Sequence, residues 1–117
     1  MKSQDVILSL FALAQESRLA VFRLLVRRGP KGYTPGELAE KLSLPAPTLS
    51  FHLKELSGAR LVTSRRQGRF LYYSVDFARM RAVVDFLTDQ CCSLAEGGCS
   101  SDCAPVTKPA STIKKAS

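Results

Sequence analysis

Four cysteines, Cys91, Cys92, Cys99 and Cys103, fall within thirteen residues of one another in a chain of 117, and the chain has no others. Thiolates are soft ligands that select thiophilic ions. Three chemistries are open to this set. Three sulfurs could form the pyramid that trivalent arsenic or antimony takes. All four could close a tetrahedral zinc or cadmium site. The thiols could also serve as a redox or persulfide switch. In a reducing compartment such a cluster is more often metal-binding or redox-active than a disulfide framework. Adjacent cysteines on a helix point about 100° apart, so a chain reversal is needed to bring a third sulfur over them. Glu96-Gly97-Gly98 supplies flexible residues for that reversal just before Cys99. Arsenic held by three thiolates is a neutral centre. The cluster follows a helix and lies near Asp89, Glu96 and Asp102, where more negative charge is disfavoured. A neutral three-sulfur unit therefore suits the place better than an anionic four-sulfur one, although the same acids could attract a divalent cation.

The rest of the chain points to a polyanion. The formal net charge is +7 and is unevenly spread. Residues 18–69 hold eleven Lys and Arg against three acids, whereas residues 70–103 hold two against five. The basic middle suits nucleic acid, with a solvated basic surface as the plainer alternative. No apolar run reaches the roughly 18 residues of a membrane span. The stretch from Met1 to Ala14 carries Lys2 and Asp5 and has no clear small-residue cleavage site, so no signal peptide is expected and a cytoplasmic location follows. There is no Cys-x-x-Cys on a βαβ pattern, no phosphate-binding loop and one histidine, so the chain does not read as an enzyme.

The elements that must position these groups are legible in order. Ile7, Leu10, Phe11 and Ala14 mark a first helix, with Val6 and Leu13 on a second apolar face. A second helix is expected from an N-cap at Ser17 to about Arg28, where Gly29-Pro30 stops it, with Leu19, Phe22, Leu25 and Val26 inward. Thr34-Pro35-Gly36-Glu37 carries the signals of a capping box with proline at the first helical position. That third helix ends near Ser43, with Leu38, Ala39 and Leu42 inward. A tight connection leads to a fourth helix over about 46–57, with Leu49, Leu53 and Leu56 as its inner stripe. Two helices joined this way make a helix-turn-helix. The stretches 61–67 and 69–74 read as a β-hairpin that places Arg65, Arg66 and Arg69 near its tip. A last helix is expected from an N-cap at Asp76 to about Cys91. Its heptad-like seam is Phe77, Met80, Val84, Leu87 and Cys91, with Val83 and Phe86 alongside. Doubled apolar faces on the first and last helices predict that each is buried once on its own domain and once on a partner. The fold class expected is mainly α with a small β-hairpin: a winged helix-turn-helix that pairs as a homodimer through its first and last helices. The domain reading is a winged-helix and dimerisation domain over 1–92, a cysteine-containing sensor segment over 93–103, and a tail over 104–117 whose Pro, Thr, Ser, Ala and Lys composition predicts disorder.

On the fourth helix the face opposite the leucines carries Pro47, Ser50, Phe51 and Lys54, with Thr48 at its edge. Ser50 can bond to a base edge or a phosphate, Phe51 can pack on a thymine methyl, and Lys54 can reach a phosphate or guanine. An exposed aromatic among polar neighbours usually has a function. Arg65, Arg66 and Arg69 are expected to grip the phosphate backbone, one of them entering the minor groove. His52 lies on the inner flank, where a lone histidine is more often a packing residue than a ligand.

The run from Leu49 to Leu56, then Ala59-Arg60-Leu61-Val62 and the wing from Arg65 to Ser74, resembles the ArsR/SmtB family of bacterial metal-responsive repressors over about residues 7–92. The resemblance implies a homodimeric winged helix that binds palindromic double-stranded operator DNA when ligand-free. The Cys-Val-Cys box of the founding arsenic repressors is absent, because the matching stretch runs from Gly36 to Leu42 without a cysteine. The family's last-helix zinc sites use His, Asp and Glu; Asp85 and Asp89 are present here, but that helix has no histidine. The run Thr88-Asp89-Gln90-Cys91-Cys92 followed by Cys99 is instead similar to an arsenic-responsive subgroup with vicinal cysteines at the end of the last helix. That similarity implies As(III) or Sb(III) as inducer at Cys91, Cys92 and Cys99, with no organic cofactor, and a role in arsenical resistance. A cadmium-, zinc- or thiol-redox-responsive repressor of the same fold is the alternative. Cys103 has no counterpart in the pattern.

Overall fold

A computed structural model describes residues 1–97. The element order is α1 (Ser3–Leu13), α2 (Glu16–Arg28), α3 (Pro35–Leu42), α4 (Ala46–Gly58), β1 (Val62–Gln67), β2 (Phe70–Val75) and α5 (Phe77–Thr88). Two compact units are distinguished, Met1–Leu87 and the chain from Thr88 onward. The expected tail, with Cys99 and Cys103, lies outside the described residues.

Local signals set most of the boundaries. The expected capping box is present: Glu37 N donates to Thr34 Oγ1 at 3.2 Å, and Thr34 N donates to Glu37 Oε1 at 2.9 Å. Asp76 Oδ1 accepts from Arg79 N at 3.0 Å at the start of α5. The expectation at α2 needs correction. Its cap is Gln15, whose side-chain oxygen accepts from Arg18 N at 2.9 Å, so the helix begins one residue before Ser17. The glutamine side chain folds back from an extended backbone to reach the orphan amide of the third helical residue.

Packing assigns the apolar faces. Leu25, Leu38, Leu49, Leu56 and Leu61 are fully buried and tie α2, α3, α4 and the base of β1 into one core. On α1 the inner face is Val6, Ser9 and Ala12, three residues apart, with Ser9 Oγ donating to Asp5 O at 3.0 Å. The Ile7, Leu10, Phe11 stripe faces away, and Phe11 is 74 % exposed. Leu19, expected inward on α2, is also exposed; Val21 takes its place in the core. Along α5 the expected seam splits. Val83 is buried and Met80 packs on the core, while Val84 and Leu87 are exposed. α5 ends at Thr88, so Cys91 is not a helical position. Arg79 on α5 reaches Asp5 on α1 across 3.9 Å.

The hairpin is antiparallel with Gln67 opposite Phe70, so Gly68 and Arg69 form a two-residue loop. Gly68 takes φ 64 at its first position, where hairpin loops favour glycine. A third short segment joins the sheet: Tyr33 N donates to Tyr73 O at 3.0 Å and Tyr73 N to Tyr33 O at 2.8 Å. Gly32 lies against the Tyr73 carbonyl at φ 76, leaving no room for a Cβ. The wing is thereby fastened to the loop between α2 and α3.

Candidate nucleic-acid interface and thiol pair

α4 is divided lengthwise. Leu49, His52, Leu53 and Leu56 are buried, whereas Pro47, Thr48, Ser50, Phe51 and Lys54 are exposed. The structure thus brings all five sequence-derived helix residues onto the open side of one helix. Phe51 is 56 % exposed and its ring is tilted against His52 at 5.9 Å between centroids. An apolar ring held by its neighbour and open to solvent can pack on a thymine methyl.

His52 anchors the helix from inside. Its Nδ1 is buried and has no hydrogen-bond partner. Burial holds its pKa below the usual 6.5, and the nearby Arg18 guanidinium lowers it further. Arg18 also reaches Glu55 across 3.6 Å, linking α2 to α4. This Arg18–His52–Glu55 grouping was not legible in the sequence, because Arg18 is distant along the chain from the other two and meets them only when the two helices pack.

The wing separates its arginines. Neighbouring residues on a strand point to opposite faces. Arg65 lies opposite Tyr72 and Arg66 opposite Leu71, so the two guanidinium groups diverge. Arg65 turns back onto the protein: Nη1 donates to Pro30 O at 3.1 Å, Nη2 donates to Lys31 O at 2.9 Å, and Cζ sits 5.2 Å from the Tyr72 ring centroid. Arg66 and Arg69 are exposed at the tip. Of the three arginines expected on phosphate, the structure leaves Arg66 and Arg69 open and commits Arg65 to the wing's own base.

Beyond α5 the chain makes successive tight turns, with Cys91 N donating to Thr88 O, Ser93 N to Gln90 O and Ala95 N to Cys92 O at 3.0–3.1 Å. Gln90 and Cys92 take φ 57 and 64, the left-handed region. This alternation swings the two thiols together. Cys91 Sγ and Cys92 Sγ are 3.6 Å apart, with Cys91 exposed and Cys92 half-buried. The expected divergence of about 100° applies only to helical neighbours. Among the described residues no three His, Cys, Asp or Glu side chains form a metal-binding group. Cys99, the expected third ligand, and Cys103 lie outside the described residues.

A helix-turn-helix domain family matches residues 13–65. A crystal structure described as a possible transcriptional regulator for arsenical resistance is 32 % identical, with TM-score 0.56, covering 68 % of this chain and 83 % of its own. The solution structure of a homodimeric winged helix-turn-helix DNA-binding domain from Mycobacterium bovis, described as a possible ArsR-family regulator, is 29 % identical, with TM-score 0.58, covering 74 % of this chain and 81 % of its own. The chain belongs to the ArsR-type winged helix-turn-helix family of transcriptional regulators. The HTH-type transcriptional regulator KmtR of Mycobacterium tuberculosis is another relative, 38 % identical over 72 residues, or 62 % of this chain and 53 % of KmtR. The chain spans between about half and two-thirds of the length of the curated relatives it matches first. In ArsR-type terms α3 and α4 are the helix-turn-helix and β1–β2 the wing. No helix among the described residues is long and apolar enough to cross a membrane.

Proposed function

We propose that the chain is a cytoplasmic transcriptional repressor that binds double-stranded operator DNA as a homodimer and is released when trivalent arsenic or antimony engages Cys91, Cys92 and Cys99. The observation that carries DNA binding is the lengthwise division of α4, with an aromatic ring, a hydroxyl pair and a lysine on the open side of a helix whose other side is core. The homodimeric relative and the exposed apolar stripes of α1 and α5 support the pairing.

The inducer is chosen on two grounds. The thiols of Cys91 and Cys92 stand close enough for one centre to bridge both. A relative at 32 % identity is described as a possible regulator for arsenical resistance. Binding reorders the chain immediately after α5, a dimer element, and so tilts the two DNA-reading units relative to each other. The coupling required is about 1–3 kcal/mol, a roughly 5- to 150-fold loss of operator affinity.

A second reading is a divalent soft-metal site completed by Cys103. It draws on the same sulfur spacing: tetrahedral zinc with bonds of about 2.3 Å sets its sulfurs about 3.8 Å apart, against 3.6 Å here. Titrating the protein–DNA complex with arsenite tests the first reading, and X-ray absorption of the arsenite-bound protein counts the sulfurs. Three sulfur neighbours and loss of DNA affinity are expected. Unchanged affinity sinks the arsenic mechanism, and a zinc-loaded four-sulfur site that releases DNA replaces it.

A further inference from the structure

We propose that the C-terminal end of α2 and the loop behind it form an additional phosphate-binding surface, which grips operator backbone outside the stretch read by α4 and the wing tip. This rests on the DNA-binding reading above and extends it to residues that reading does not use.

A cleft of about 230 Å³ is lined by Leu24, Arg27, Arg28 and Tyr33. Two cations from different helices converge on the one tyrosine ring. Arg28 Cζ lies 4.6 Å from its centroid and Lys41 Nζ lies 5.4 Å from it. Arg28 Nε donates to Gly32 O at 3.1 Å, which fixes the guanidinium plane and leaves the Nη pair to serve a ligand. Arg27 is exposed beside it. The carbonyl end of α2 favours Arg27 and Arg28 on its own account. It does not account for Lys41, which belongs to the last turn of α3. Glu37 lies close enough for its charge to couple to Arg28 and Lys41, but its Oε1 is held by the Thr34 backbone and hydroxyl as part of the cap. The cleft therefore keeps an excess of positive charge at short range. An oriented arginine fork, a lysine ammonium and a phenolic hydroxyl form a donor set suited to phosphate.

The occupant is a DNA phosphodiester because the surface is continuous with the wing. Arg65 of β1 docks on Pro30 and Lys31 of this loop, and Tyr33 pairs with Tyr73 of β2. Arg66 and Arg69 stand exposed farther out, toward the hairpin tip.

The test uses full-length protein and two labelled duplexes, one recovered by in vitro selection with the wild type and one of random sequence. Affinity is measured from about 50 to about 200 mM salt, the range over which neutralised phosphates dominate the change. Arg27→Ala and Lys41→Ala are each expected to reduce the slope of log affinity against log salt by about 0.9 for every phosphate the variant no longer neutralises, and the double variant by about twice that. Preference for the selected duplex is expected to stay as in the wild type. Arg66→Ala serves as the wing reference. A wild-type slope in the double variant, with a reduced slope in Arg66→Ala, overturns the cleft while leaving DNA binding intact. Binding of inorganic phosphate to the DNA-free protein, abolished in the double variant whose DNA slope is unchanged, assigns the cleft to a free anion and also overturns it. Failure of the wild type to bind either duplex removes both readings together.

Discussion

Replacing Arg65 separates two roles that the sequence merges. Its guanidinium makes two hydrogen bonds to backbone carbonyls of the loop between α2 and α3, and it stacks on Tyr72. The site is exposed, so each hydrogen bond contributes about 1 kcal/mol and the stacking about 0.5 kcal/mol. Losing all three costs about 2.5 kcal/mol, roughly a seventyfold change in the docked fraction of the wing. If the wing melts with a domain of this size, the midpoint falls by about 10–20 °C. Arg65→Ala is therefore expected to lower the melting midpoint and weaken DNA binding without changing the salt slope. Arg65→Lys keeps the charge but loses the planar fork, so it is expected to resemble alanine rather than the wild type. Circular-dichroism melts and salt-dependent anisotropy read both effects. The reasoning fails if Arg65→Ala melts like the wild type, reduces the salt slope by about 0.9 per protomer, and is rescued by lysine. That result would place Arg65 on phosphate.

Three further outcomes follow from named contacts. His52 has a folded pKa below 6.5, mainly through burial. The unfolded chain then binds the proton more readily, so this contribution to stability is full above about pH 6.5 and is lost as pH falls toward the folded value. Melting midpoints at pH 7.5 and about 5.5 are expected to diverge in the wild type and to converge in His52→Gln; equal pH dependence in both would exonerate His52. Gly32→Ala combines φ 76 with a Cβ driven into the Tyr73 carbonyl, so a loss of at least about 1–2 kcal/mol is expected, and an unchanged denaturation midpoint would contradict the close approach. Phe11→Ser removes an exposed ring that the proposed dimer would cover twice by symmetry. At about 1.5–3 kcal/mol per buried side chain, it should raise the dimer dissociation constant by roughly 10²–10⁴-fold; light scattering that still shows a dimer at low concentration removes α1 from the interface.

The sequence made the helix-turn-helix legible because its signals are local. The Thr34–Glu37 capping box, the leucine spacing of α4 and the glycine of the hairpin loop each act within a few residues. Long-range contacts were not legible. Pro30 and Lys31 are 35 and 34 residues from Arg65, so nothing near Arg65 announced that its side chain was committed. Periodicity found both faces of α1 without ranking them. The stripe with the larger side chains is the exposed one, because α1 approaches the core through Val6, Ser9 and Ala12. At the cysteines helical spacing no longer holds, one turn past the end of the helix. α5 stops at Thr88, and two left-handed residues then bring together sulfurs that a helix would hold apart.

That last departure bears on what the thiols can do. Neighbouring α-carbons across a trans peptide are about 3.8 Å apart, below the roughly 4.4 Å at which ordinary disulfides begin. The described residues contain no cis peptide bond. Cys91 and Cys92 are therefore poorly placed to oxidise directly with each other, although their sulfurs are in contact at 3.6 Å. A centre that bonds to both sulfurs escapes the restriction, because the bridging atom lengthens the link between them. A redox switch at this site has to recruit Cys99 or Cys103 for each disulfide, whereas a thiophilic ion uses the vicinal pair as it stands and needs one more sulfur. The two chemistries thus make opposite demands on the adjacent pair. In Cys99→Ser/Cys103→Ser protein, a sensor that works by forming a disulfide loses its response outright. A metalloid sensor keeps a two-sulfur foothold at Cys91 and Cys92 and binds arsenite more weakly, which titration and sulfur counting of that variant would register.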